Sequence, residues 1–377
     1  MSGGCRLKLN NQSPLRDRFT QAFEYSDCWV DDARLVIANA LSVRELGGRI
    51  LPRTRCLSAT RGERGWEITL QGQDSAQTLT VHSKGLINAT GPWVSSFIEQ
   101  GLRREPEYDI QMIQGSHIVV PALYAGEEAY ILQNSDKRIV FVIPWLGQWT
   151  LIGTTDVEHS GDPAEAAISQ QEENYLIDII NQHFQNQISC ADIVHSFAGV
   201  RPLCHDESDH PSAMTRDYTL TISGSDEQFP LLNVFGGKLT TYRKLAESAL
   251  LKLAPWFSQM RQPWTNSQPL PGGDIISRAA FAKELKQTYP WMHVSLASRY
   301  SESYGTLCHH FLADCQSLTD LGQHFGCSLY QREVDYLIDQ EWAVNIEDIL
   351  WRRSKIGLAL TDYAQREALE HYILNRS

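Results

Sequence analysis

The chain has 377 residues, 42% of them hydrophobic and 21% charged, which excludes a disordered polypeptide and allows roughly two or three folded domains. Its 33 basic and 45 acidic residues give a formal charge of −12, which argues against a nucleic-acid binder and requires that any anionic substrate be met by a local basic pocket. The longest apolar run, residues 139–146 with a proline inside it, falls far short of the ~20 residues a membrane-spanning helix needs, and no signal peptide is visible.

Residues 1–20 are polar and begin Met-Ser-Gly-Gly, which predicts a loose tail. From Asp31 and Asp32, which suit a helix start, Ala33, Val36, Ile37, Ala40 and Val43 form one apolar face that Gly47 is placed to end. A short strand is predicted at 49–51, a hairpin at 66–70 and 79–81, and a buried strand running into a turn at 85–91. Helix, strand, β-excursion and strand make half of a nucleotide-binding sheet. The other half should carry a Gly-x-Gly-x-x-Gly turn, and the sequence does not contain one. Runs at 116–120, 139–143 and 149–152, the last two joined by a turn at Leu146-Gly147-Gln148, predict an antiparallel sheet. Ser169 with Glu172 forms a capping box opening a helix through about Phe184, and strand patterning resumes at 192–201 and 218–222.

An apolar run then ends at Phe235, the pair Gly236-Gly237 follows, and Leu239, Tyr242, Leu245, Ala249 and Leu253 recur at helical spacing. This is a strand, a tight turn and a helix whose first free N–H groups favour a flat or anionic group, with Lys238 adding a cation. Alone, such a turn is equally an ordinary strand-to-helix junction. Past Pro269-Leu270-Pro271-Gly272-Gly273 the chain turns helical, which sets a domain boundary there. The eight cysteines include no Cys-x-x-Cys pair and fit a reducing cytoplasm. The cluster Cys308, His309, His310, Cys315, His324 and Cys327 matches no common zinc spacing, so no metal site is predicted.

Several islands occur together and in order: Phe-Glu-Tyr-Ser-Asp-Cys-Trp-Val-Asp-Asp at 23–32, Asn-Ala-Thr-Gly-Pro-Trp at 88–93, Gly-Ser-His-Ile-Val-Val at 115–120, Ile-Gly-Thr-Thr-Asp at 152–156, Gly-Val-Arg-Pro-Leu at 199–203 and Gly-Gly-Lys-Leu-Thr-Thr-Tyr-Arg at 236–243. Jointly they resemble the FAD-dependent respiratory glycerol-3-phosphate dehydrogenases of the bacterial aerobic type, from about Ala22 to the C-terminus. The resemblance implies an α/β (α+β) fold: an incomplete FAD-binding Rossmann-like domain at 21–95 and 231–255, a β-rich substrate domain at 96–230 and a helical domain at 270–377. It also implies that the dinucleotide turn belongs to an N-terminal segment these residues lack, so that this chain alone is expected to hold FAD poorly and to be inactive.

The implied reaction oxidises sn-glycerol 3-phosphate at C2 to dihydroxyacetone phosphate and passes electrons through FAD to a quinone, in a peripheral enzyme on the inner face of the bacterial cytoplasmic membrane, homodimers being among the implied assemblies. By resemblance, Gly236, Gly237, Lys238, Leu239 and Thr240 lie under the flavin ring, Ala89, Thr90 and Gly91 near the dinucleotide, and Arg55 and Cys56 on the adenine side. His117 matches the catalytic histidine, although periodicity alone would make it a hydrogen-bonded strand residue. Arg201, Arg216 and Lys238 match a basic pocket, with Arg201 facing either the phosphate or the reacting oxygen. Two other readings compete: a two-domain flavin oxidase acting on amines or amino acids, against which the three cations argue, and a non-catalytic ligand-binding remnant.

Overall fold

The computed structural model describes residues 4–9, 13–204, 217–224 and 229–376. The chain divides into two units, Met1–Asp27 with Arg53–Gln262 and Cys28–Pro52 with Pro263–Ser377.

In the first unit β1 (Cys5–Lys8) pairs antiparallel with β2 (Gln21–Glu24), and Leu15 between them is buried and bridges to Phe184. The stretch expected as a loose tail is thus tied down in part. Every side chain of β1 is exposed, so no alternation of apolar residues announces it. The strand expected at 49–51 is not formed; β3 (Thr54–Gly62) starts later and builds an antiparallel sheet with β4 (Gly65–Gly72) and β5 (Thr78–Ser83). The chain continues through β6 (Leu86–Asn88) into β7 (Ile110–Pro121), β8 (Tyr130–Gln133), β9 (Ile139–Trp145), β10 (Trp149–Gly153), β11 (Val157–Glu158) and β12 (His195–Cys204). These last six form one antiparallel sheet, in which β7 takes β12 along one edge and β10, then β11, along the other. The β9–β10 hairpin reverses where the sequence places its turn, with Leu146 (φ 50°) and Gly147 (φ 74°) in the left-handed region such a reversal needs.

Side-chain alternation gives this sheet two unlike faces. Ile118, Val120, Val140, Val142 and Ile152 turn to one side and pack on Leu176, Ile177 and Ile180 of the helix Gln170–His183. That helix opens with the predicted capping box and is capped at its far end by Phe184. The other side is the one of functional interest. Finally β13 (Tyr218–Ser223) pairs antiparallel with β14 (Leu231–Gly236), and β14 pairs in parallel with β6. The buried Asn88 amide reaches Asn233 Oδ1 at 3.2 Å across that parallel pair, satisfying two side chains that would otherwise be costly inside.

The second unit is helical, with Leu285, Tyr300, Leu312, Leu337 and Leu369 fully buried in its core. The predicted helix at its start is Asp32–Glu45, N-capped by Asp31, and it buries Ile37 and Leu41 in this helical core instead of extending the nucleotide-binding sheet. Arg34 pairs with the fully buried Glu341, and Arg299 with Glu333 at 2.6 Å. Cys308 and Cys315 are buried here, and among the described residues no three His, Cys, Asp or Glu side chains gather to hold a metal.

Candidate functional site

On the open face of the six-stranded sheet the register sets Phe197, His117 and Gly153 side by side across β12, β7 and β10. The next row is Gly199 beside Gly115, and beyond it Arg201 lies beside Ile113. Three glycines therefore surround one imidazole and one guanidinium. Phe197 stacks on His117 with ring centroids 5.0 Å apart and planes 12° from parallel. A Cβ at Gly153 would fall 2.7 Å from His117 Cγ, so the missing side chain is what lets the imidazole lie across β10. Gly115 does the same for Arg201, whose Cζ would be 2.9 Å from a Cβ there. Nothing stands within 4 Å of a Cβ at Gly199, which leaves open space in the row between the two groups. Gly153→Ala is expected to push the imidazole off Phe197, costing about 1–3 kcal/mol in a melt and erasing the ring-current shift of the His117 protons.

Arg201 is held in place. Its Nη1 donates to Asp156 Oδ1 at 2.7 Å and its Nη2 to Thr154 Oγ1 at 3.0 Å, while about a third of the side chain (31%) stays exposed. Thr155, between these two partners, points the opposite way into the sheet's packed side, where Glu172 receives it. Burial alone would raise the Glu172 carboxyl, but hydrogen bonds from Thr155, the Ser169 amide and Ser116 outweigh it and hold the group below its ordinary range. A carboxyl depressed on folding stabilises fully above its unfolded value of ~4.3 and stops doing so as pH falls through the lower folded value. Removing the charge with Glu172→Gln is therefore expected to flatten the drop in melting temperature on acidification below about pH 4.3.

At the edge of the three-stranded sheet two turns follow the carboxyl ends of the parallel strands β6 and β14, the position where open α/β sheets receive ligands. After β6 come Ala89 and Thr90, both exposed, and Gly91 with φ +58°. After β14 come Gly236 (φ +72°) and Gly237 (φ +110°), then exposed Lys238, Leu239 and Thr240 leading into the helix Tyr242–Leu253. A Cβ at Gly237 would meet Leu245 at 3.0 Å as well as being strained, so the backbone there stays bare. Such a cradle suits a flat anionic ring resting on amides. A Cβ at Gly236 would stand 3.5 Å from the Pro202 carbonyl, which brings this turn against the residue that follows Arg201. Lys238 Nζ lies 3.4 Å from Asp217 Oδ1, an exposed contact. Arg55, Cys56 and Thr90 line one cleft of about 470 Å³, together with Trp93 and Asp162. Burial pushes the Cys56 thiol up, keeping it protonated.

The structure thus brings His117 and Arg201 to one face, and Arg55, Cys56 and Thr90 to one cleft, with the Gly236–Lys238 turn beside Pro202. Arg216 lies outside the described residues. Asp156, Thr154, Phe197 and the glycine floor were not predicted as site residues, although Gly153 to Asp156 stand in one of the motifs; a carboxylate three residues beyond a strand-ending glycine was the available signal.

The chain matches the family described as FAD dependent oxidoreductase over residues 6–243, and the one described as C-terminal domain of alpha-glycerophosphate oxidase over 263–373. It is 52% identical to a glycerol-3-phosphate dehydrogenase of Pseudomonas aeruginosa, over 97% of this chain and 72% of that protein. With the aerobic glycerol-3-phosphate dehydrogenase of Escherichia coli it shares 48% identity, over 96% of this chain and 72% of that one. A D-erythritol 1-phosphate dehydrogenase of Brucella abortus is 42% identical over the same shares, 96% and 72%. Among solved structures, the glycerol-3-phosphate dehydrogenase of Bacillus halodurans complexed with FAD superposes with a TM-score of 0.80 at 24% identity, covering 96% of this chain and 72% of that one, which shows the fold.

Proposed function

Because the chain belongs to the FAD-dependent oxidoreductases, in the branch of the glycerol-3-phosphate dehydrogenases, we propose that it takes part in oxidising sn-glycerol 3-phosphate to dihydroxyacetone phosphate. The observation that carries this reading is the glycine-floored face on which a stacked imidazole and an anchored guanidinium stand either side of the Gly115–Gly199 row. FAD accepts the C2 hydrogen as hydride when it is bound. His117 takes the proton of the C2 hydroxyl, and its stacking on Phe197 fixes the ring plane before substrate arrives. Arg201 presents the donors left free by Asp156 and Thr154 to a phosphate or to the reacting oxygen, with Lys238 and Arg216 supplying further positive charge. Gly236 and Gly237 offer bare amides to the flavin ring, Ala89, Thr90 and Gly91 border the dinucleotide, and the cleft of Arg55 and Cys56 takes the adenine side.

The pyrophosphate needs a glycine-rich turn that these 377 residues do not include, so they are proposed to bind FAD weakly by themselves. Mixing with FAD, desalting and scanning absorbance tests this: a stoichiometric yellow protein overturns it. Turnover with an artificial dye then tests the substrate. Glycerol 3-phosphate is expected to be oxidised under FAD excess, while oxidation of D-erythritol 1-phosphate or of sarcosine in its stead would move the assignment to another polyol phosphate or to an amine. Electron delivery to a quinone, in a peripheral enzyme at the inner membrane face, completes the proposal; among the described residues no helix is long and apolar enough to cross a membrane.

A further inference from the structure

We propose that Glu172 is a positioning residue for this site, setting Arg201 through Thr155 from the opposite side of the sheet. The inference rests on the reading of the open face as the substrate face. Between the end of β10 at Gly153 and the start of β11 at Val157 the chain leaves the β-ladder. Thr155 Oγ1 takes up the bond that would otherwise be missing, accepting from the Ser116 amide at 2.9 Å. The same hydroxyl donates to Glu172 Oε1 at 2.7 Å.

A capping box uses one oxygen of its glutamate, and Glu172 Oε2 does that work, receiving the Ser169 amide and hydroxyl, each at 2.9 Å. Oε1 has no part in the cap. It turns to the sheet, where Ser116 Oγ joins Thr155 at 2.7 Å, and Gln114 Nε2 spans both oxygens. Thr154 and Asp156 flank Thr155 and both reach Arg201 on the open side, so anchoring Thr155 on the packed side holds the short segment that presents them. Gly153 is held under His117 by the ladder itself, and Ser116, which bonds the same carboxylate oxygen as Thr155, precedes His117. Glu172 is 5% exposed, and its carboxylate is engaged by Thr155, Ser116, Gln114 and Ser169 on the packed side.

Thr155→Val keeps the shape and removes the hydroxyl, Thr155→Ser keeps the hydroxyl, and Glu172→Gln keeps the shape and removes the charge. The guanidinium nitrogen signals of the full chain, with that of Arg201 assigned by its loss in Arg201→Lys, report whether the Asp156 contact is rigid. The Arg138 signal, held by Asp136 at 2.8 Å and stacked on Tyr175 of the helix that carries Glu172, reports folding of the same unit independently. Expected is averaging of the Arg201 signal in Thr155→Val and Glu172→Gln, its retention in Thr155→Ser and an unchanged Arg138 signal. With FAD in excess, KM for glycerol 3-phosphate should rise at least about tenfold with a smaller change in kcat. A rigid Arg201 signal in folded Thr155→Val and Glu172→Gln overturns the proposal, as does joint loss of the Arg201 and Arg138 signals in both, which would mean a role in folding alone. If no variant or parent oxidises a polyol phosphate while the Arg201 signal responds as expected, the functional reading fails and the coupling stands.

Discussion

Arg201→Ala is expected to lower kcat/KM for glycerol 3-phosphate by about 30- to 4,000-fold, mostly through KM. Removing one member of a hydrogen-bonded, largely desolvated charge pair costs roughly 2–5 kcal/mol, and each ~1.4 kcal/mol is tenfold. Two losses add here. The substrate loses a forked donor, and Asp156, only 12% exposed, loses the cation beside it. Arg201→Lys restores charge without the fork that spans Asp156 and Thr154, so it should recover a minor part of the loss. Asp156→Asn separates the two contributions, because it keeps the guanidinium while loosening its anchor. Kinetics of all three variants with FAD in excess check this, and an unchanged KM in Arg201→Ala removes the arginine from the site.

His117→Gln is expected to cut kcat by about 10²–10⁴-fold with little effect on KM, the range ascribed to a lost general base. Glutamine fits the space between Phe197 and Gly153 without the ring, so the fold should persist. What disappears is the acceptor for the hydroxyl proton, and with it the acid limb of the pH dependence of kcat/KM. Stopped-flow reduction of bound flavin by glycerol 3-phosphate is the decisive measurement, since it isolates proton and hydride removal from later electron transfer. Wild-type reduction rates in this variant would return His117 to the status of a strand histidine.

Much of the fold was legible because local rules state it. The hairpin at Leu146 to Gln148 follows from turn chemistry, and the helix Gln170–His183 from its capping box. Partners distant in sequence were not legible. Apolar residues on the helix Asp32–Glu45 predict a buried stripe but do not say which core receives it, and Ile37 and Leu41 join the helices near the C-terminus. The site divides the same way. His117 and Arg201 could be named from short motifs, whereas their placement depends on Val119 facing His195 and Arg201 facing Ile113, a register that no local window contains. Glu172 was read as a cap and nothing more, because its second oxygen serves a strand far from it in sequence.

The amide bridge between Asn88 and Asn233 joins residues 145 positions apart. On a ribosome adding about 5–20 residues per second, β6 therefore emerges some 7–30 s before its parallel neighbour exists. During that interval its backbone edge can be satisfied only by water or by a wrong strand. The crevice at the ends of these two strands consequently closes after the substrate face is complete, and a nascent chain stalled before Leu231 would carry that face without it.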